Sequence, residues 1–261
     1  DAVAEEILVS VTVGGAGGDK FALGGSVSAN VVMNTVEAKV VSGVTGKDGG
    51  GNDIVRESDL DAVGDIGISA SDKTTAVVVA GGFAISMSSG AVGVAASTVY
   101  IENDILAVID DSSVTSSAGS VRLEAGVGQP DHAADPSDIS LGTTGVTMPT
   151  TSSSSVVNVT FGGAGGSSFA AGIGLSVNII NNDIEAAIRN GSTVAADDGV
   201  SLSAMDASVI DALAFGGAGS PSGGAAGGAI SVNVITNSIG TAIIDSTVRA
   251  GVNDTGTEVT N

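Results

Sequence analysis

The chain has no cysteine and no tryptophan, one tyrosine, five phenylalanines, four prolines and one histidine in 261 residues. Without cysteine, disulfide frameworks and thiolate metal sites are excluded. With aromatics at 2%, the irregular space of a typical α/β core cannot be filled by Phe, Tyr and Trp. Val, Ile, Ala and a few Leu must do it, so the core has to be thin and regular. Four prolines beside forty glycines exclude both collagen and a proline-rich linker. Basic residues are also few, 8 Lys and Arg against 29 Asp and Glu, a formal charge of −21. No basic patch is available to displace counterions from phosphates, which argues against nucleic acid and anionic membrane as partners. No run of about 18 apolar residues occurs, so no membrane span is expected. The opening Asp1-Ala-Val-Ala-Glu-Glu has neither an initiator Met nor a signal peptide, as expected for a processed part of something longer.

What the chain does have is a repeat. Glycine clusters recur as VGGAGG at Val13–Gly18, AGGFA at Ala80–Ala84, FGGAGG at Phe161–Gly166 and FGGAG at Phe215–Gly219. Each is followed by an apolar segment ending near an asparagine, at Asn34, Asn103, Asn182 and Asn237. Counted from the first glycines, 14, 81, 162 and 216, the offsets are 20, 22, 20 and 21 residues. The copies are placed at about residues 10–75, 76–155, 156–208 and 209–261, a single array over 1–261. Insertions lie at about 42–66 and 126–155, which map to loops on one face.

The segments Leu175-Ser176-Val177-Asn178-Ile179 and Ile230-Ser231-Val232-Asn233-Val234-Ile235 alternate with period two, the mark of half-buried strands. No apolar stripe of helical period occurs, and turn signals such as Asn190-Gly191 and Asp198-Gly199 are frequent. The expected fold class is therefore all-β, a parallel β-helix or β-solenoid built from four internal repeats. Each copy of about 54 residues is expected to supply two or three coils stacked at about 4.8 Å. In that arrangement the recurrent Asn is expected to cap a turn rather than form a ladder.

The string SVNVI-x-N-x-I, a Ser-Thr-Val segment and a GGAGG tract together resemble the repeat regions of giant bacterial filamentous-haemagglutinin-like and autotransporter-like surface adhesins. The resemblance covers nearly the whole chain apart from the insertions. It implies a right-handed parallel β-helix, secretion to the bacterial cell surface, and a role in adhesion, aggregation or fibre formation. It carries over no functional residue, since the motif residues are structural.

The candidate chemistry is sparse. The first insertion holds Asp48, Asp53, Glu57, Asp59, Asp61 and Asp65, hard oxygen ligands at a density suited to Ca²⁺. It has neither an EF-hand loop nor a nonapeptide Ca²⁺ repeat, and a solvated acidic loop is the simpler reading. The second insertion holds Asp131, His132, Asp135 and Asp138 near Pro130 and Pro136; it reads as a polar loop. A carbohydrate-active β-helix enzyme, a lyase or hydrolase, is the rival function, but the adjacent pairs Asp110-Asp111 and Asp197-Asp198 form no dyad on a strand. A flat Thr array for ice or mineral would need more copies than Ser192–Val194 and Ser246–Val248 provide. Gly18-Asp19-Lys20 breaks the order of a phosphate-binding loop, and no cofactor other than Ca²⁺ is implied. Glycosylation sequons begin at Asn158, Asn190 and Asn253. The expected product is a structural or adhesive rod, not an enzyme. It associates end to end or continues in a longer chain, with a cell-surface or glycan ligand as a further partner.

Overall fold

The computed structural model describes residues 1–128, 154–251 and 258–260. Among these, every element is a strand. The chain runs through β1 (Ala2–Gly18), β2 (Phe21–Val41), a β3–β4 hairpin (Gly43–Lys47, Asp53–Arg56) and β5 (Ser58–Ala62). It continues through β6 (Ile66–Ser86), β7 (Gly90–Asp110), β8 (Ser112–Ser116), β9 (Ser120–Val127), β10 (Ser155–Gly166), β11 (Phe169–Arg189) and β12 (Thr193–Ala196). Last come β13 (Gly199–Met205), β14 (Val209–Gly219), β15 (Gly224–Ile243), β16 (Thr247–Ala250) and β17 (Glu258–Thr260).

The strands form three sheets and the separate hairpin. In the first sheet β6 is central. It pairs with β1 along one edge and with β9 and then β10 along the other, and these pair in turn with β13 and β14. The second sheet is β2-β7-β11-β15 and the third β5-β8-β12-β16-β17. All these pairs are parallel except β16–β17. All-β structure with parallel sheets is thus as the sequence predicts.

The length of chain between paired strands is not. Phe21 lies level with Gly90, Phe169 and Gly224, separations of 69, 79 and 55 residues, so each sequence copy contributes one strand to the second sheet. Among the described residues no shorter coil intervenes. The four asparagines, Asn34, Asn103, Asn182 and Asn237, therefore stand level on adjacent strands. They are mid-strand and form a row across the sheet, which replaces the expected turn cap. The glycine level with Gly14 and Gly162 is Gly82, not Gly81. A slip of one residue would have exchanged the two faces of the strand. Residues 43–56 of the first insertion form the hairpin, whereas 58–62 pair with β8 in the third sheet.

The first and second sheets face one another and converge toward the glycine clusters. A Cβ on Gly14, Gly82, Gly162 or Gly216 would fall on a backbone carbonyl of the facing sheet, at Gly25, Val94, Ile173 and Gly228 respectively. Ordinary sheet packing leaves about 10 Å between backbones for side chains. At this rim there is none, and glycine is required for the approach. Between this pinch and the turns that join the two sheets pack Ala22, Ala84 and Ala91; on its other side the gap widens to a larger cluster with Val78, Ile101, Val156 and Ile180. The widest part, closed by the third sheet, holds Ile105, Ile109, Val114, Leu123, Ile184 and Ile188.

The alternation along β11 is present, with its phase opposite to the usual one. Ser176 and Asn178 turn inward and are buried, while Leu175, Val177 and Ile179 turn outward. Near the rim the gap is too narrow for branched apolar side chains, and small polar ones fill it by bonding across it. The phase changes at the apolar pair Ile179-Ile180. Beyond it Ile180, Ile184 and Ile188 are inward and fully buried, and Asp183 and Glu185 are outward. The five phenylalanines, Phe21, Phe83, Phe161, Phe169 and Phe215, all lie toward the rim and outside the core. Phe161 covers Gly81 and Phe83 covers Gly163 on the neighbouring strand, with ring centroids 5.1 Å apart. Phe161 and Phe215 stack at 5.6 Å.

Candidate functional site

The acidic residues of the first insertion are spread over the hairpin and the start of the third sheet. Asp48 closes the β3–β4 turn: its carboxylate accepts from the backbone N–H groups of Gly50 and Asn52, both at 2.8 Å, and from Asn52 Nδ2 at 3.0 Å. The Asn52 side-chain bond, with the backbone bonds behind it, holds this carboxyl below the usual range. Asp53 pairs with Lys47 Nζ at 2.7 Å. Glu57 lies between β4 and β5, and Asp59 and Asp61 lie on β5. Asp65 accepts from the Ser120 N–H at 2.7 Å. No group of three or more His, Cys, Asp or Glu placed to hold a metal ion occurs among the described residues. Asp131, His132, Asp135 and Asp138 fall outside the described residues, as does Asn253.

Both adjacent acidic pairs sit at turns. Asp110 ends β7 and accepts from Arg189 Nε at 2.9 Å and Asn190 Nδ2 at 2.8 Å. The Asn190 bond is the leading cause of its lowered pKa, with Arg189 adding to it. Asp111 follows with φ 47°. Asp197 and Asp198 lie between β12 and β13, where their N–H groups donate to the carbonyls of Ser116 and Gly119. Of the sequon asparagines, Asn158 is fully buried, so the folded strand hides it from a glycosylating enzyme. Asn190 is exposed in a turn at φ 58°.

The most organised polar chemistry is inside the molecule, in two bands that cross the strands. Nearer the rim, Ser97 Oγ donates to Asn158 Oδ1 at 2.8 Å. Asn158 Nδ2 donates to Asn178 Oδ1 at 2.6 Å, and Asn178 Nδ2 to Asn233 Oδ1 at 2.8 Å. The second band contains the aligned asparagines. Asn103 Nδ2 donates to Asn182 Oδ1 at 3.0 Å. At one end Asn34 Nδ2 donates to Asp72 Oδ2 at 2.9 Å; at the other Asn182 Nδ2 donates to Asp206 Oδ2 at 2.7 Å and to Ser208 Oγ at 2.9 Å. The motif Asp-x-Thr/Ser, at Asp72–Thr74 and Asp206–Ser208, thus receives the asparagine of the facing sheet twice. Between them Val127 occupies the Asp72 row, and the buried Asn103 Oδ1 has no hydrogen-bond partner among the described residues.

Asp72 is 1% exposed. It also accepts from Thr74 Oγ1 at 3.0 Å and Ser154 Oγ at 3.2 Å. Burial pushes its pKa above the ordinary value of 3.8, and the charge of Glu6 adds to the rise; the three hydrogen bonds oppose it without cancelling it. A carboxyl with a raised folded-state pKa binds its proton more tightly in the folded protein. Its contribution to stability is complete below pH 3.8 and is lost as pH rises through the folded value. Asp72→Asn removes the buried charge, keeps an acceptor for Asn34 and lets the two hydroxyls rotate to accept. Thermal unfolding followed by circular dichroism is expected to give a higher Tm than wild type at pH 7, with the gap narrowing below pH about 4. A variant less stable than wild type at both pH values would show that the hydrogen bonds outweigh burial.

On the outside, β2, β7, β11 and β15 are apolar and uncharged over their first halves. Their outward acids, Glu37, Glu102, Asp104, Asp183 and Glu185, follow in the second halves. No described helix is long and apolar enough to cross a membrane. No family model matches the chain, nor does any curated protein or solved structure.

Proposed function

We propose that the chain is a β-solenoid segment of a bacterial surface adhesin, a rigid structural rod rather than an enzyme, right-handed as in the proteins its repeats resemble. The observation that carries this reading is the row Asn34–Asn103–Asn182–Asn237, one residue from each sequence copy, level on four adjacent parallel strands. A chain that returns to the same row after each copy winds once per copy and advances by about 4.8 Å. Each turn is supported by its neighbours, the energetic organisation of repeat proteins.

The two end strands of the second sheet match each other row by row. Ser231, Asn233, Ile235, Asn237 and Ile239 of β15 occupy the rows of Ser28, Asn30, Val32, Asn34 and Val36 of β2. A following turn, from the same chain or from another copy, would meet the side chains that an internal turn meets. The antiparallel β17 lies against β16, so continuation runs through the two long sheets. The enzyme alternative finds no support at Asp110, which is engaged by Arg189 and Asn190.

Electron microscopy and fibre diffraction of the purified chain test the rod. Filaments or rods with an axial repeat near 4.8 Å are expected. Their loss in EDTA would add Ca²⁺, through Asp48, Asp53, Glu57, Asp59, Asp61 or Asp65, to the mechanism. Compact particles lacking that repeat would overturn the rod.

A further inference from the structure

In the first half of the second sheet the usual arrangement of a soluble sheet is reversed. Ser28, Ser97, Ser176 and Asn178 point inward and are buried. Val27, Val31, Leu23, Ile173, Ile230 and Val232 point outward and are exposed. The outward rows run Leu23–Val92–Ala171–Ala226, Val27–Ala96–Leu175–Ile230 and Val31–Tyr100–Ile179–Val234. From Phe21 to Val31, and over the matching lengths of β7, β11 and β15, no charged residue occurs. A face with this pattern gains by being covered, as the inner face of a sheet sandwich is.

We infer that this outer face is the contact surface of a side-by-side pair, occupied by the same face of a second copy. Area is the first argument. At about 3.3 Å per residue and 4.8 Å per strand, the uncharged block measures about 36 by 19 Å, roughly 700 Å². A stable interface needs about 800 Å² per partner, and the flanking residues supply the remainder. Charge is the second. Glu37, Glu102, Asp104, Asp183 and Glu185, in excess over Lys39 and Arg189, follow the block toward the strand C-termini, and at its other end the opposite charges of Asp19 and Lys20 adjoin it. A two-fold axis lying between the sheets and perpendicular to the strands overlays the two uncharged blocks and sends the acidic ends in opposite directions. The pairing is self-complementary, as a two-fold contact must be. It leaves the edges of β2 and β15 open, so it is compatible with growth of the rod and does not depend on it.

Sedimentation equilibrium of the full chain between about 1 and 100 μM is the test, with Leu175→Lys/Val177→Lys as the disrupting variant. Both side chains are outward, so the interior is untouched. Wild type is expected to pair, and the double variant to associate at least about 100-fold more weakly with unchanged circular dichroism. The first-sheet control Val11→Lys, whose side chain is also outward, should pair as wild type does. Should the double variant misfold, a spin label on Thr98→Cys, outward and exposed in an otherwise cysteine-free chain, reads the contact directly. Facing sheets predict an intermolecular separation of about 10–25 Å including the label arms. A wild-type chain monomeric at 100 μM, pairing unaffected by the lysines, or label separations beyond that range would overturn the inference. A monomer that instead co-sediments with uncharged phosphatidylcholine vesicles would assign the face to lipid and overturn it too. Loss of filaments with pairing intact would strike only the rod.

Discussion

Gly82→Val is expected to prevent the two long sheets from closing, leaving a chain that is unfolded or aggregated at temperatures where the wild type is native. The backbone at Gly82 is ordinary extended strand, so the effect is steric and not conformational. Its Cβ position coincides with the carbonyl of Val94 in the facing sheet, with the rest of that residue's backbone close behind. A flexible side chain could move aside, but a carbonyl inside a hydrogen-bonded sheet cannot without parting the ladder. Overpacking of this kind costs about 3 kcal/mol or more, a large share of the roughly 5–15 kcal/mol that holds a domain together. Gly165→Ala supplies the contrast. Nothing lies within 4 Å of its Cβ position, and the change should fall within about 0.5 kcal/mol. Urea unfolding of the two variants measures both. Equal destabilisation would mean that the sheets do not approach as closely as the structure places them.

The second large effect is expected at Asn178. Its amide receives a hydrogen bond from Asn158 and gives others to Ser176 at 3.0 Å and Asn233 at 2.8 Å. Asn178, Asn158 and Ser176 are all buried, so neither Asn158 nor Ser176 has water as a substitute, whereas Asn233 on the end strand is exposed. Asn178→Ala leaves the Asn158 amide N–H and the Ser176 hydroxyl oxygen without this partner in the interior, each worth about 1–3 kcal/mol; a loss of about 2–4 kcal/mol follows. Val177→Ala, next to it and outward, should cost less than about 1 kcal/mol to the isolated chain. Periodicity alone would rank the two the other way, taking Val177 for core and Asn178 for surface. Denaturant midpoints that follow that ranking would overturn the inward assignment of the polar rows.

The repeat is legible because each copy carries the same motifs in the same order, at 20–22 residues from glycine cluster to asparagine, although the copies lie 69, 79 and 55 residues apart. Gly14, Gly162 and Gly216, and the four asparagines, could all be aligned by eye. The slip at Gly81 arose where AGGFA offers two glycines in succession and only the facing carbonyl of Val94 distinguishes them. The asparagine row is hidden in the sequence for a related reason. A turn of about 18–27 residues would have separated the copies, and nothing local in Asn103 or Asn182 states how far along the chain the strand beside it lies. The Asp72–Thr74 and Asp206–Ser208 motifs carry no local signal because their asparagine partners sit on the other sheet, 38 and 24 residues away in the chain. The two spacings differ, so no fixed Asn-to-Asp distance marks the motif in the sequence.

From its own residues the sequence determines the class of structure and the material of its core. Few aromatics, no cysteine, many β-branched residues and period-two alternation leave short-range geometry no option but strand, and motifs recurring in the same order favour parallel neighbours. Tertiary structure alone decides which side of each strand is inside. A period-two pattern is symmetric under exchange of faces, and hydrophobicity settles the choice only where the gap is wide enough to hold an apolar side chain. At the glycine rim it is not. There the separation between sheets selects Gly, Ser and Asn for the interior and turns Val, Leu and Ile outward.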